Sequence, residues 1–204
     1  MKKLILVFMC LALVLCAVSC AGAEKVGEYV PGVNTEDGYS SDWLGMEFAP
    51  TENLYLATSE EIEELLEISA DMLYVDEETG EEVLDWARVT TVYEMMATDE
   101  MTGDSVIVMA EKIGDTGIGV DEYIEVLKTQ INTQLGVGAV YSSAAKATVA
   151  GQKYTRFAYT LNFDGVEIGQ TMYLRKQGDR MIAICVTAEN EAVENAIISC
   201  FKAK

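Results

Sequence analysis

The chain has no histidine, which removes Ser-His-Asp and Cys-His catalysis and histidine metal sites from consideration. Basic residues are scarce. Fourteen lysines and arginines face 34 aspartates and glutamates, a formal charge of -20. Nothing in that balance neutralises a phosphate backbone, so nucleic acid is not an expected partner. Adsorption to anionic lipid headgroups is disfavoured for the same reason. Prolines number only two. What remains is ordinary for a globular protein: 204 residues, 50% hydrophobic and 24% charged. That length and balance predict one domain with a real core.

The longest apolar run lies at the start. Lys2 and Lys3 precede Leu4 to Val18, a stretch of fifteen residues. It is short for a spanning helix of about 20 residues and suits a signal-peptide core. Ala17-Val18-Ser19-Cys20 follows. Small residues before a cysteine resemble the lipobox of bacterial lipoproteins, where that cysteine is acylated and becomes the mature N-terminus. Cys20 is therefore the expected lipidation site, and residues 1–19 the signal peptide. Cleavage after Ala21-Gly22-Ala23 and a retained anchor are the alternatives. Cys10 and Cys16 follow Met9 and Leu15, so they depart with the signal. Loss of two lysines shifts the charge from -20 to -22. A diacylated cysteine holds a protein at a bilayer without inserting it. The expected location is the cell membrane, lipid-anchored and facing outside the cytoplasm.

Of the five cysteines, Cys185 and Cys200 then remain. An extracytoplasmic setting permits a bridge between them. The preferred reading is two small buried hydrophobes, one on a strand and one on a helix.

Residues 20–40 are small, polar and turn-rich, and read as a flexible tether with a reach of roughly 25 Å. Residues 41–204 read as the domain. Trp43 to Pro50 predicts a first strand and Leu54 to Ala57 a second. Thr58 and Glu61 have capping-box spacing. The helix they open carries Ile62, Leu65, Leu66, Ser69, Met72 and Leu73 on one face. Asp76 to Glu82 is a charged turn. Arg88 to Ala97 and Ser105 to Ile113 predict strands, the second central because Val106 to Met109 is apolar on both faces. Asp121 to Leu135 predicts a helix stopped by Gly136. Lys153 to Phe163, Val166 to Lys176 and Arg180 to Ala188 predict a meander, with a turn at Asp164-Gly165. Asn190 to Lys202 predicts a closing helix. The class is α+β with a largely antiparallel sheet and packed helices.

This order of elements resembles the PsbP-like family. Tyr39 with the Trp43-Leu44-Gly45-Met46-Glu47-Phe48-Ala49-Pro50 opening carries the likeness. So do the Asp121-Glu122-Tyr123 helix start and the Gln170-Thr171-Met172-Tyr173-Leu174-Arg175 meander. It spans about residues 40–202. The family includes an extrinsic photosystem II subunit, a Ran-binding protein and many small bacterial lipoproteins. The resemblance implies an α-β-α sandwich serving as a noncatalytic binding or assembly module, with no catalytic residues to transfer.

Several short patterns invite chemistry. Asp115-Thr116-Gly117 spells the aspartic-protease triplet, but Ile113-Gly114 lacks the apolar approach, and that enzyme needs two aspartates sharing a proton. Gly114 to Gly119 sits between strand and helix as phosphate loops do, without the lysine and with Asp115 repelling phosphate. Ser143-Ala144-Ala145-Lys146 spells S-x-x-K without its companion motifs. Glu60, Glu61, Glu63, Glu64 and the acids of residues 76–82 offer oxygen ligands but lack calcium-loop spacing. Tyr154, Tyr159 and Tyr173 fall on sheet faces, as core or as a partner groove. The expectation is a noncatalytic extracytoplasmic lipoprotein that meets the lipid bilayer through acylated Cys20. Its domain binds an unknown protein or envelope partner, without cofactor or metal. A carboxylate-only hydrolase, or a small-ligand or calcium-binding accessory subunit, is the alternative.

Overall fold

A computed structural model describes residues 28–35, 37–73, 90–113, 118–134, 139–163 and 166–204. The signal peptide, Cys20, Asp76 to Glu82, Asp115-Thr116-Gly117, Gly136 and Asp164-Gly165 lie outside the described residues.

The centre is an eight-stranded antiparallel sheet. Its strands are β4 (Tyr55–Leu56), β5 (Thr91–Thr98), β6 (Ser105–Lys112), β7 (Ala139–Tyr141), β8 (Ala145–Val149), β9 (Gln152–Phe163), β10 (Val166–Gln177) and β11 (Arg180–Thr187). The order is β4-β5-β6-β11-β10-β9-β7, with β8 also pairing β9. Central β6 is buried on both faces from Ser105 to Glu111, as its unbroken apolar run requires. A second sheet has the order β1-β2-β3-β12. Its strands are β1 (Val33–Thr35), β2 (Gly38–Ser41), β3 (Met46–Phe48) and β12 (Phe201–Ala203).

Alternation along the strands divides the core in two. Ile107, Met109, Met172, Leu174, Ala183 and Cys185 face one side. Helices α1 (Ser59–Leu73) and α2 (Val120–Gln134) cover it with Ile62, Leu66, Tyr123, Ile124, Leu127 and Ile131. Val106, Val108, Ala110, Ile182, Ile184 and Val186 face the other. The small sheet and helix α3 (Glu191–Ser199) cover that side with Tyr39, Met46, Phe48, Ile197 and Phe201. The α+β class and the antiparallel sheet stand as expected.

The capping box at α1 is present as spelled. Glu61 N–H donates to Thr58 Oγ1 at 3.2 Å, and Thr58 N–H donates to Glu61 Oε2 at 2.8 Å. Asn190 caps α3 by accepting from the N–H groups of Ala192 and Val193.

Three expectations need correction, and one segment without an expectation proves structured. The tether does not extend to residue 40. Residues 28–35 and 37–40 are built into the domain, because β1 and β2 form a hairpin and Tyr39 is buried. The first strand shortens to Met46–Phe48, since Trp43 to Gly45 form a turn with Gly45 at φ +66°. The closing helix stops at Ser199, and Phe201–Ala203 become β12, paired to β3. Phe201 packs on Phe48 at 4.8 Å between ring centroids, so burial of the aromatic pair outweighs one more helical turn. Finally, the segment before Lys153 contributes β7 and β8 along the outer side of β9.

Candidate functional site

Three buried glutamates carry most of the interior's polar chemistry. Glu94 interrupts the apolar run of β5. The register slips between Tyr93 and Met95, a β-bulge. The bulge turns Glu94 toward the small sheet, where its carboxylate accepts from Tyr29 Oη at 2.6 Å, Gly32 N–H at 2.6 Å and Tyr39 Oη at 2.9 Å. Asn34 Nδ2 adds a bond to the Glu94 carbonyl at 2.8 Å. Gly32 is required there, because a Cβ would lie 2.3 Å from the Tyr39 ring. Arg180 stacks over Tyr29 at 3.7 Å from the ring centroid. One side chain thus holds residues 29–39 against the sheet.

Glu194 does the same for α3. Arg156 Nε and Nη2 each donate to its carboxylate at 2.8 Å, Tyr173 Oη at 2.5 Å and Thr171 Oγ1 at 3.1 Å. Burial opposes the charge, but Arg156, Tyr173 and Thr171 hold the carboxyl below the ordinary carboxylate range. Glu111, on the opposite face, accepts from Tyr123 Oη. Burial pushes its carboxyl up to about 7, and the tyrosine hydroxyl draws it partly back.

The residues singled out in the sequence do not converge. Tyr154 and Tyr173 are buried on the small-sheet face and Tyr159 on the helix face, so they are core and line no groove. Cys185 and Cys200 are free thiols, both buried, and burial pushes Cys185 up to about 12. Ser143 lies between β7 and β8, while Lys146 Nζ donates to Thr155 at 3.3 Å. Gly119 N–H is taken by the Glu122 carboxylate at 3.1 Å, which satisfies the start of α2 internally. Glu60, Glu63 and Glu64 are exposed on α1, while Glu61 is occupied by Thr58 and Tyr55. Among the described residues no group of three or more acids or cysteines is placed to hold a metal ion. No described helix is long and apolar enough to cross a membrane.

One groove among the described residues was not singled out in the sequence. It has a volume of about 1270 Å³ and runs along the β4 edge. Leu54 to Ser59 form one wall, Asp99 to Thr102 another, and Asn34 and Thr35 close one end, with Pro50, Glu52 and Asn53 completing it. Tyr55 is 49% exposed and Met101 80%. Asp99 Oδ1 accepts from the N–H groups of Met101 and Thr102 at 2.8 and 3.2 Å, so the turn that presents Met101 is fixed.

No family model matches the sequence, and no curated protein does. Among solved structures, the chain is similar to cyanobacterial PsbP (CyanoP) from Synechocystis sp. PCC 6803. The identity is 14%, the TM-score is 0.51, and the match covers 87% of this chain and 99% of that one. At that identity the likeness concerns the fold alone: the chain carries a domain of PsbP-like fold, the architecture expected from the order of its elements.

Proposed function

We propose that this protein is an extracytoplasmic lipoprotein, held at the membrane by acylated Cys20, whose domain is a noncatalytic docking module for a protein partner. The observation that carries the docking reading is the β4-edge groove, with Tyr55 and Met101 exposed in it. Tyrosine and methionine are enriched in protein interfaces. The interior supports it: Glu94 and Glu194 are saturated by structural donors, and the sheet separates both from Glu111. A carboxylate-only hydrolase instead needs two acids held facing one another across a cleft; in the groove Asp99 is spent on the N–H groups of its own turn, and Glu52 and Glu100 are exposed to solvent.

The early start of the folded domain changes the anchor. Seven residues, 21–27, separate Cys20 from the described chain, a reach of roughly 15 Å. On this reading the domain sits against the membrane surface, held there by its acyl chains despite its acidity.

Metabolic labelling with a fatty acid tests the anchor. The full-length chain should take up label and sediment with membranes, and Cys20→Ser should lose both. Label that persists in the Cys20→Ser chain refutes the anchor. Turnover of a glycosidic or ester substrate by the purified domain refutes the noncatalytic reading.

A further inference from the structure

We infer that the β4-edge groove receives an extended, lysine- or arginine-bearing segment of the partner protein, which adds a strand beside β4. This rests on the docking reading above and assigns the occupant.

The backbone supplies the first argument. Tyr55 pairs with Thr98 and Leu56 with Ala97. Ala57 N–H donates to the Met96 carbonyl at 2.9 Å, so positions 55 and 57 spend their hydrogen bonds on β5. Antiparallel pairing alternates, so the N–H and C=O of Leu56 point away from β5, out of the sheet edge. Leu54 to Ser59 line the groove along this edge. An extended segment lying there meets a donor and an acceptor already aimed at it.

Charge supplies the second. Glu52, Asp99 and Glu100 line the groove, and among the described residues no lysine or arginine does. The described residues between 28 and 134 hold 19 acids against two bases, so the part of the chain that bears the groove is strongly acidic. Residues 139–204 hold eight bases against six acids. An incoming acidic segment is repelled at this edge, and a basic one is steered to it. Tyr55 and Met101 then offer apolar contact to side chains between the bases.

The probe is a blocked nine-residue peptide of alternating lysine and valine, titrated into the folded chain and followed by amide NMR. Shifts should concentrate at Tyr55 to Ala57 and Glu100 to Thr102. The Glu52→Gln/Glu100→Gln variant changes only exposed side chains and should weaken binding about fivefold at low salt. Replacing the lysines by glutamates should abolish binding. N-methylation of alternate peptide amides should weaken it while leaving charge untouched. Shifts spread over the surface, or equal binding of the methylated peptide, overturn strand addition. Sedimentation showing self-association lost in Lys146→Glu makes β8 of a second copy the occupant and overturns the assignment. Photo-crosslinkers placed in turn at position 101 and at exposed positions on the other faces of the full-length protein, in its own membrane, separate the two readings. Capture of a partner through another face alone sinks this inference and leaves the docking module standing, whereas no capture from any face sinks both.

Discussion

The two faces of the large sheet bury their acids in opposite ways. On the helix face, Glu111 accepts from the Tyr123 hydroxyl, and burial drives its carboxyl toward the neutral form. On the small-sheet face, Glu94 and Glu194 each gather three or more donors, and Glu194 adds a two-pronged Arg156 pair. The difference follows from what covers each face. Two long helices present continuous apolar stripes and need no polar fastening. The small sheet is built from strands of three or four residues, each with little apolar area to contribute. Its attachment is therefore reinforced by hydrogen bonds to a charge, each worth more than a neutral one.

Removing an acid should thus have opposite signs on the two faces. The largest effect is expected for Glu94→Ala. It leaves the buried Tyr39 hydroxyl and the Gly32 N–H without their acceptor, at a cost of about 4 kcal/mol in denaturant unfolding. Hydrogen exchange should rise first across residues 33–41. A loss below about 1 kcal/mol would show that the small sheet holds by apolar contact alone. Glu111→Gln should do the reverse. A carboxyl raised from 4.5 to about 7 adds stability that is complete below pH 4.5 and lost as pH climbs through 7. That span corresponds to about 3 kcal/mol. The variant should match the parent near pH 4 and exceed it by that amount at pH 8. A constant difference across this window would remove the contrast between the faces.

Arg156→Met is expected to rank third. It strands the Glu194 charge, but the arginine side chain is 32% exposed and water reaches the vacated position. About 2 kcal/mol should be lost at pH 7. Because the Glu194 carboxyl is held low, this stability is present above the ordinary carboxylate range and lost as pH falls through the folded value. The gap between variant and parent should close in acid, opposite in direction to the Glu111 variant.

How far this contrast was legible in the sequence depends on element length. The long strands β9, β10 and β11 announce themselves by alternation, and β6 by its unbroken apolar run. Thr58 and Glu61 read as a cap because that bond is local. β1, β2, β7, β8 and β12 have three to five residues each, too few for a periodicity to show, and β12 pairs with β3 some 150 positions away. The β1–β2 hairpin is local, but what fastens it to the large sheet is Glu94, 60 or so positions away. The charged Glu94 within Val92 to Met96 was the readable anomaly, and it marks the bulge. The groove was not legible, since it arises where β4, the Asp99 to Thr102 turn and β1 meet.

The smallest expected effect tests the helix face at its most local point. Thr58→Ala removes the hydroxyl that accepts from Glu61 N–H and leaves the Thr58 backbone donor in place. Losing a threonine cap costs about 1 kcal/mol. Glu61 is held below the ordinary carboxylate range by the Thr58 N–H first, then by the Tyr55 and Thr58 hydroxyls, so two of three supports survive. Fraying should stay within the first turn of α1, because Ile62 and Leu66 remain buried in the apolar core. Amide exchange of Glu60 to Ile62 should quicken while the β5 and β6 amides keep their protection. If exchange instead rises throughout α1, the helix is fastened by its cap as the small sheet is by its glutamates, and apolar packing is not what distinguishes the two faces.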